Sequence, residues 1–191
     1  MESIRLDPLV AWILRLALAA LFATAVTHKI RDPLRFKQTL ADYEILPPVL
    51  VGPTWLGLVV AEVSIVLGLL LTGSAGTGLA AGGLLAVYGA AIGINLARGR
   101  RDIDCGCLGP VARQPLSAWL LVRNGVLALG ALATALPTSG RSLHPIDAIS
   151  LLGGLIVLAL FFNTLNLFVA QAAGRRGASS RSLRPNRESL S

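Results

Sequence analysis

Long apolar runs with at most one charge each, separated by short charged clusters, constrain this 191-residue chain more than any other feature. A helix crosses the roughly 30 Å hydrocarbon core of a bilayer when about 20 consecutive residues are mainly apolar. Five runs meet or approach that length: about Pro8 to Thr27, Val49 to Thr72, Gly78 to Ala97, Pro115 to Leu136 and Ile146 to Ala170. Only 14% of the residues are charged and 54% are hydrophobic, whereas soluble domains carry about a quarter charged residues. A water-soluble fold could not cover its own surface with so few. The sequence therefore predicts an all-α, polytopic membrane bundle of about five transmembrane helices. Its membrane domain spans residues 1–172, and the Arg/Ser-rich tail over 173–191 is expected to be disordered.

The first run could pass for a signal peptide, with Ala23-Thr24-Ala25 as a small-residue cleavage site. Arg15 inside the run, with Glu2 and Asp7 diluting a basic start, argues for a retained helix. After it, Asp32-Pro33 has the form of an N-cap followed by proline in the first turn. Phe36, Leu40 and Tyr43 then recur at helical spacing among Arg35, Lys37, Gln38 and Asp42. This predicts a short interfacial helix, stopped by Pro47-Pro48. In the third run Gly89 and Gly93 have the GxxxG spacing that lets membrane helices approach closely.

Five spans place the termini on opposite sides. One side receives the N-terminus, the turn near Gly73 and the loop with Arg141. The other receives Lys29, Arg31, Arg35, Lys37, Arg98, Arg100, Arg101, Arg113, Arg175 and Arg176. By the positive-inside rule the second side is cytoplasmic, in a cell inner or plasma membrane, with the N-terminus outside. The net charge of +7 is thus topological. The basic residues flank apolar runs and form no soluble face with interleaved aromatics, so no nucleic-acid partner is expected.

Polar residues concentrate in the half of the bundle nearer the basic side. His28 and Lys29 end the first span there, Asn95 nearly ends the third, and Arg123-Asn124 sit early in the fourth. Asn163, Asn166 and Gln171 occupy the corresponding half of the fifth. Glu62 lies near mid-membrane and Arg15 is counted at comparable depth. A charge at the bilayer centre costs roughly 2.5–3.5 kcal/mol on insertion scales, so each should face a partner inside. An Arg15–Glu62 or Arg123–Glu62 ion pair is expected, either purely structural or as part of a functional pocket.

The loop after the third span reads Arg100-Arg101-Asp102-Ile103-Asp104-Cys105-Gly106-Cys107-Leu108-Gly109 and holds both cysteines of the chain. Two thiols spaced by one glycine can close only into a small strained ring, which is easily reduced, as a cycling redox pair requires. The arginines would lower a thiol pKa and the aspartates oppose that, so reactivity stays open. A static disulfide and a pair of inert apolar cysteines remain alternatives. Only His28, His144 and a few carboxylates could complete a zinc set, and His144 falls on the opposite side; no metal is expected.

Taken together, these residues resemble the methylamine-utilisation MauE family, which belongs with DoxX-like redox-associated membrane proteins. The resemblance is carried by Lys29, Asp32, Phe36, Leu40 and Tyr43 with Leu46-Pro47, by Glu62 and Gly68, and by Asn95 with Gly99. The Asp104-Cys105-Gly106-Cys107-Leu108-Gly109 run is its most specific part, and Arg123-Asn124 add to it. It covers about Val10 to Ala170. Leu108 departs from it where an aromatic residue is more usual, and the basic tail is no feature of the family. The resemblance implies a four-helix core with an added helix. It also implies thiol–disulfide chemistry alongside a thioredoxin-like partner: in MauE itself, maturation of a disulfide-rich periplasmic dehydrogenase subunit, and in DoxX-type relatives thiol or sulfur oxidation coupled to quinone. A periplasmic client conflicts with a cytoplasmic cysteine loop.

The leading expectation is a thiol:quinone oxidoreductase with Cys105 and Cys107 as the exchanging pair. Glu62, Arg123, Asn124 and Asn95 would line its pocket, and His28 or Lys29 would assist proton transfer. A non-catalytic anchor or assembly factor for a thioredoxin-like partner is the alternative. A small transporter is a third, but no inverted repeat or broken-helix pair is visible.

Overall fold

The computed structural model describes residues 5–101, 103, 105 and 116–182, with side chains to Thr164. Cys107 lies outside the described residues, with 102, 104 and the rest of the stretch 106–115. Among the described residues six helices follow one another: α1 Pro8–Arg31, α2 Pro33–Asp42, α3 Pro48–Leu71, α4 Ala75–Ala97, α5 Ala118–Ala133 and α6 Pro145–Ser182. Among the described residues there is no strand beyond an isolated bridge between Leu6 and Thr138. The chain divides into two units, Met1–Leu155 and Ile156–Ser191. The second contains the remainder of α6.

Local chemistry sets the boundaries. Asp7 accepts from the Leu9 amide at 2.8 Å, with Pro8 in the first turn of α1. Asp32 caps α2 through the Arg35 amide at 3.2 Å, again before a proline. Ser74 caps α4 through the Thr77 amide. Four helices are long and apolar enough to cross a membrane: α1, α3, α4 and the Pro145–Thr164 part of α6. The fourth predicted span is shorter than expected. At 16 residues, α5 rises about 24 Å. The tail also departs from expectation, since helix continues past Gly174 to Ser182; no proline interrupts it before Pro185.

In the first unit α1, α3, α4 and α5 form a four-helix core, with α2 laid against α1 and α3. Neighbours run antiparallel. Lys29 of α1 reaches Glu62 of α3 while Arg15 reaches Gly73. Glu62 meets Tyr88 of α4, whereas Gly68 abuts Thr77. Gly78 abuts Thr134 near the end of α5, and Gly89 faces Asn124 near its start. The tightest α4–α5 approach, at Gly78, is about three to four turns earlier than the Gly89/Gly93 spacing suggested. A methyl group at Gly78 would stand 2.5 Å from Thr134 Oγ1 and 2.9 Å from the Ala131 carbonyl; one at Gly89 meets nothing nearer than 3.7 Å. The apolar core joins Leu18, Phe22, Ile65, Leu69, Ala81, Leu85 and Ala131.

Candidate functional site

At the end of the core where α1 finishes, a triangle of polar side chains is sealed among apolar ones. Side chains on a helix lean toward its N-terminus. Because α1 and α3 are antiparallel, Lys29 leans into the bundle and Glu62 leans out to meet it. Lys29 Nζ donates to Glu62 Oε1. It also donates to Tyr88 Oη at 3.1 Å, and Tyr88 Oη donates to the same Glu62 Oε1 at 2.7 Å. Lys29 is 5% exposed and Glu62 0%. The ammonium also lies 4.9 Å from the centre of the Phe36 ring and 5.0 Å from that of Tyr88, so two π faces share in stabilising it. The Lys29 carbonyl accepts from the Trp55 indole at 3.2 Å, which fixes the register of α1 on α3.

This triangle replaces the expected ion pair. Arg15 does not reach Glu62. It lies at the level of the α3–α4 turn, where its Nη2 donates to the Gly73 carbonyl at 2.7 Å. Counting depth along each run put the two charges together; the packing register places Arg15 at Gly73, about three helical turns from Glu62. Gly73 has φ +55, and a side chain there would collide with the Arg15 guanidinium.

Two further predicted residues border the triangle. Asn124 and Arg123 are buried near the start of α5, and the Asn124 amide donates back to the Leu120 carbonyl at 2.9 Å. Asn124 faces Gly89, the residue after Tyr88, so it sits at the same depth. Asn95, fully buried two turns further along α4, donates to the Ala91 carbonyl at 3.1 Å. Glu62 Oε2 and Asn95 Oδ1 are buried acceptors with no hydrogen-bond partner among the described residues. His28 is half-buried and, one residue from Lys29, points about 100° away around α1. Asn163 is exposed, and the side chains of Asn166 and Gln171 lie outside those described; within the first unit the described polar cluster draws on α1, α3, α4 and α5.

Cys105 is not in an aqueous loop. It is 6% exposed and packs with Ile92, Leu116 and Leu120, flanked by Tyr43, Leu96 and Ile103. Ile92 is four residues from Tyr88, and Leu120 four from Asn124. The thiol cluster is therefore one helical turn, about 5.4 Å, from the layer holding Tyr88 and Asn124. A partner's thiol can reach Cys105 only if some of these apolar side chains move aside.

A family model described as methylamine utilisation protein MauE matches residues 7–137. The chain belongs to the MauE family. The matched region takes in α1 to α5, hence the whole triangle and the cysteine run. Among relatives, the methylamine utilization protein MauE of Paracoccus denitrificans is 35% identical over 181 residues, 92% of this chain and 97% of that protein. That of Paracoccus versutus is 37% identical over 166 residues, 85% of this chain and 89% of the relative. That of Methylorubrum extorquens is 37% identical over 180 residues, covering 92% and 96%. No solved structure matches significantly.

The sequence singles out Lys29, Glu62, Asn95, Arg123 and Asn124, all of which the structure buries, but not Tyr88. The available signal was a phenol inside an apolar span, since a buried tyrosine hydroxyl usually takes a hydrogen-bond partner.

Proposed function

We propose that this membrane protein carries out thiol–disulfide redox chemistry through Cys105 and Cys107, serving the maturation of a partner protein in methylamine utilisation. The observation that carries this reading is the position of Cys105, one helical turn from a sealed layer of ionisable and amide side chains. A purely structural loop cysteine would gain nothing from such neighbours. The partner thiol would come from a thioredoxin-like protein docking at the basic end, which the charge distribution assigns to the cytoplasm.

Electrons from the dithiol would pass to membrane quinone as substrate. The residues present suit both of its oxidation states. Lys29, whose ammonium has three N–H donors, can give one to a carbonyl oxygen, and the open acceptors Glu62 Oε2 and Asn95 Oδ1 can receive hydroxyls. Arg123 and Asn124 would shape the same end of the bundle.

The experiment is turnover by the purified protein, supplied with a reduced thioredoxin-like protein and a soluble quinone analogue. Quinone reduction should disappear in the Cys105→Ser/Cys107→Ser variant, and unchanged turnover would sink the reading. The apolar burial of Cys105 favours a second reading, a non-catalytic anchor for the same partner. Complementation by the cysteine-free variant in cells would select it.

A further inference from the structure

The two oxygens of the Glu62 carboxylate are in opposite situations. Oε1 is saturated, with donors from Lys29 and Tyr88. Oε2 is equally buried and has no hydrogen-bond partner among the described residues. Leaving a buried acceptor unmade costs about 1–3 kcal/mol, more for a charged group. A purely structural ion pair would be better served by filling that position. An oxygen held open beside a fixed one is what a proton-carrying carboxyl needs.

We propose that Glu62 is a proton-binding site inside the membrane, with Oε2 as the atom that takes up and releases the proton. Lys29 and Tyr88 are positioning residues that hold Oε1 and thereby aim Oε2. Protonation at Oε2 removes the negative charge facing Lys29. The ammonium tolerates this because it keeps the Tyr88 oxygen at 3.1 Å and the ring faces of Phe36 and Tyr88. The charged and polar groups near Glu62 are Lys29 on α1, Tyr88 on α4 and, on α5, Arg123 and Asn124 at the depth of Tyr88. Among the described residues, none of these is a second carboxylate.

The use made of this site rests on the thiol reading above. Closing Cys105 and Cys107 to a disulfide breaks two S–H bonds, forms one S–S bond and releases two electrons and two protons. The electrons reduce a quinone to its quinol, whose two oxygens take up two protons. Glu62 Oε2 accepts one proton as an O–H bond and passes it to the reduced acceptor, returning to the carboxylate.

Infrared difference spectra between acidic and alkaline buffer, on protein in liposomes, test the site without turnover. The wild type should show a carboxylic acid C=O band that is absent in Glu62→Gln and displaced in Tyr88→Phe, which lacks one donor to Oε1. Spectra identical in wild type and Glu62→Gln overturn the proposal. Because Glu62→Gln leaves Lys29 buried without a counter-charge, turnover is compared in the neutral pair Lys29→Met/Glu62→Gln. Loss of the general acid–base group should lower the rate by roughly 10²–10⁴-fold, while Glu62→Asp keeps a proton carrier and part of the activity. A double variant turning over at the wild-type rate overturns the coupling. A wild type that shows the band but oxidises no thiol refutes the thiol reading and leaves the proton site standing.

Discussion

The two ends of the four-helix core treat charge in opposite ways. Near Cys105, Lys29 and Glu62 are removed from solvent; the ammonium is satisfied by Glu62, Tyr88 and ring faces, and the carboxylate through Oε1 alone. At the far end Arg141 lies between Asp7 and Asp147 at 3.2 Å from each, with Arg141 and Asp7 about two-fifths exposed. Arg15 there takes a backbone carbonyl in place of a carboxylate and borders a cavity of about 350 Å³ with Gly73 and Thr134. Exposed ion pairs contribute little to stability, and they hold the segment before α1 against the α5–α6 connection. Buried pairs cost several kcal/mol per ion in desolvation and are no better for stability than well-packed apolar residues. The far end is a clasp; the near end retains charge where apolar packing would serve the fold as well, which is the physical reason to place the chemistry there.

The largest effect expected from this contrast is at Lys29. Lys29→Met leaves Glu62 ionised and alone in the core, which should cost about 3–5 kcal/mol. Adding Glu62→Gln should recover most of that loss. Thermal unfolding of the three proteins in detergent measures it, and a double variant as unstable as the single one would break the comparison. Tyr88→Phe should be milder. It removes one hydrogen bond to a charged acceptor, about 1.5–3 kcal/mol, and leaves the ring over Lys29 in place.

Helix packing gives the next effect. Gly78→Ala forces a methyl group against Thr134 Oγ1 and the Ala131 carbonyl, and overpacking of this kind costs about 1–3 kcal/mol. Gly89→Ala, whose methyl has room, should lie well below it. Equal melting temperatures for the two variants would remove the tight α4–α5 approach from the account.

How far these features were legible follows from what each depends on. The apolar runs, the Asp32-Pro33 start of α2 and its Phe36–Tyr43 face are local patterns, and the helices formed where those patterns lie. The partner of Glu62 depends on register between helices, which no single run encodes. Lys29 was placed at a helix end by its Cα, yet its four-carbon stem carries the ammonium inward. Arg15 was counted at mid-membrane, yet the α3–α4 turn comes down to its level. Arginines and aspartates surround Cys105 in sequence, so the run itself gives no sign of burial, yet Cys105 packs with Leu116 and Ile103 in an apolar cluster. MauE membership was legible because it rests on short motifs, which need no register.

The smallest effect belongs to the clasp, and pH separates it from the buried triangle. The Leu9 amide and then the Arg141 guanidinium, both donating to Asp7, hold its carboxyl below the ordinary carboxylate range, while Arg141 is pushed further up by Asp7 and Asp147. A carboxylate with a lowered folded value contributes stability that is complete above its unfolded value and is lost as pH falls through the folded one. Arg141 stays charged throughout, so only the acid limb is affected. Arg141→Ala should therefore lower the melting temperature slightly at neutral pH, and this difference should fade as pH falls through the lowered folded value of Asp7 and vanish once both states bind a proton. Raising the salt at neutral pH should shrink it as well, because exposed pairs are screened. The Lys29→Met deficit should be much less sensitive to salt, since its charges lie out of reach of the ions. A salt response of equal size at both positions would mean that Lys29 and Glu62 are solvated in the membrane, and the distinction between the two ends would fall with it.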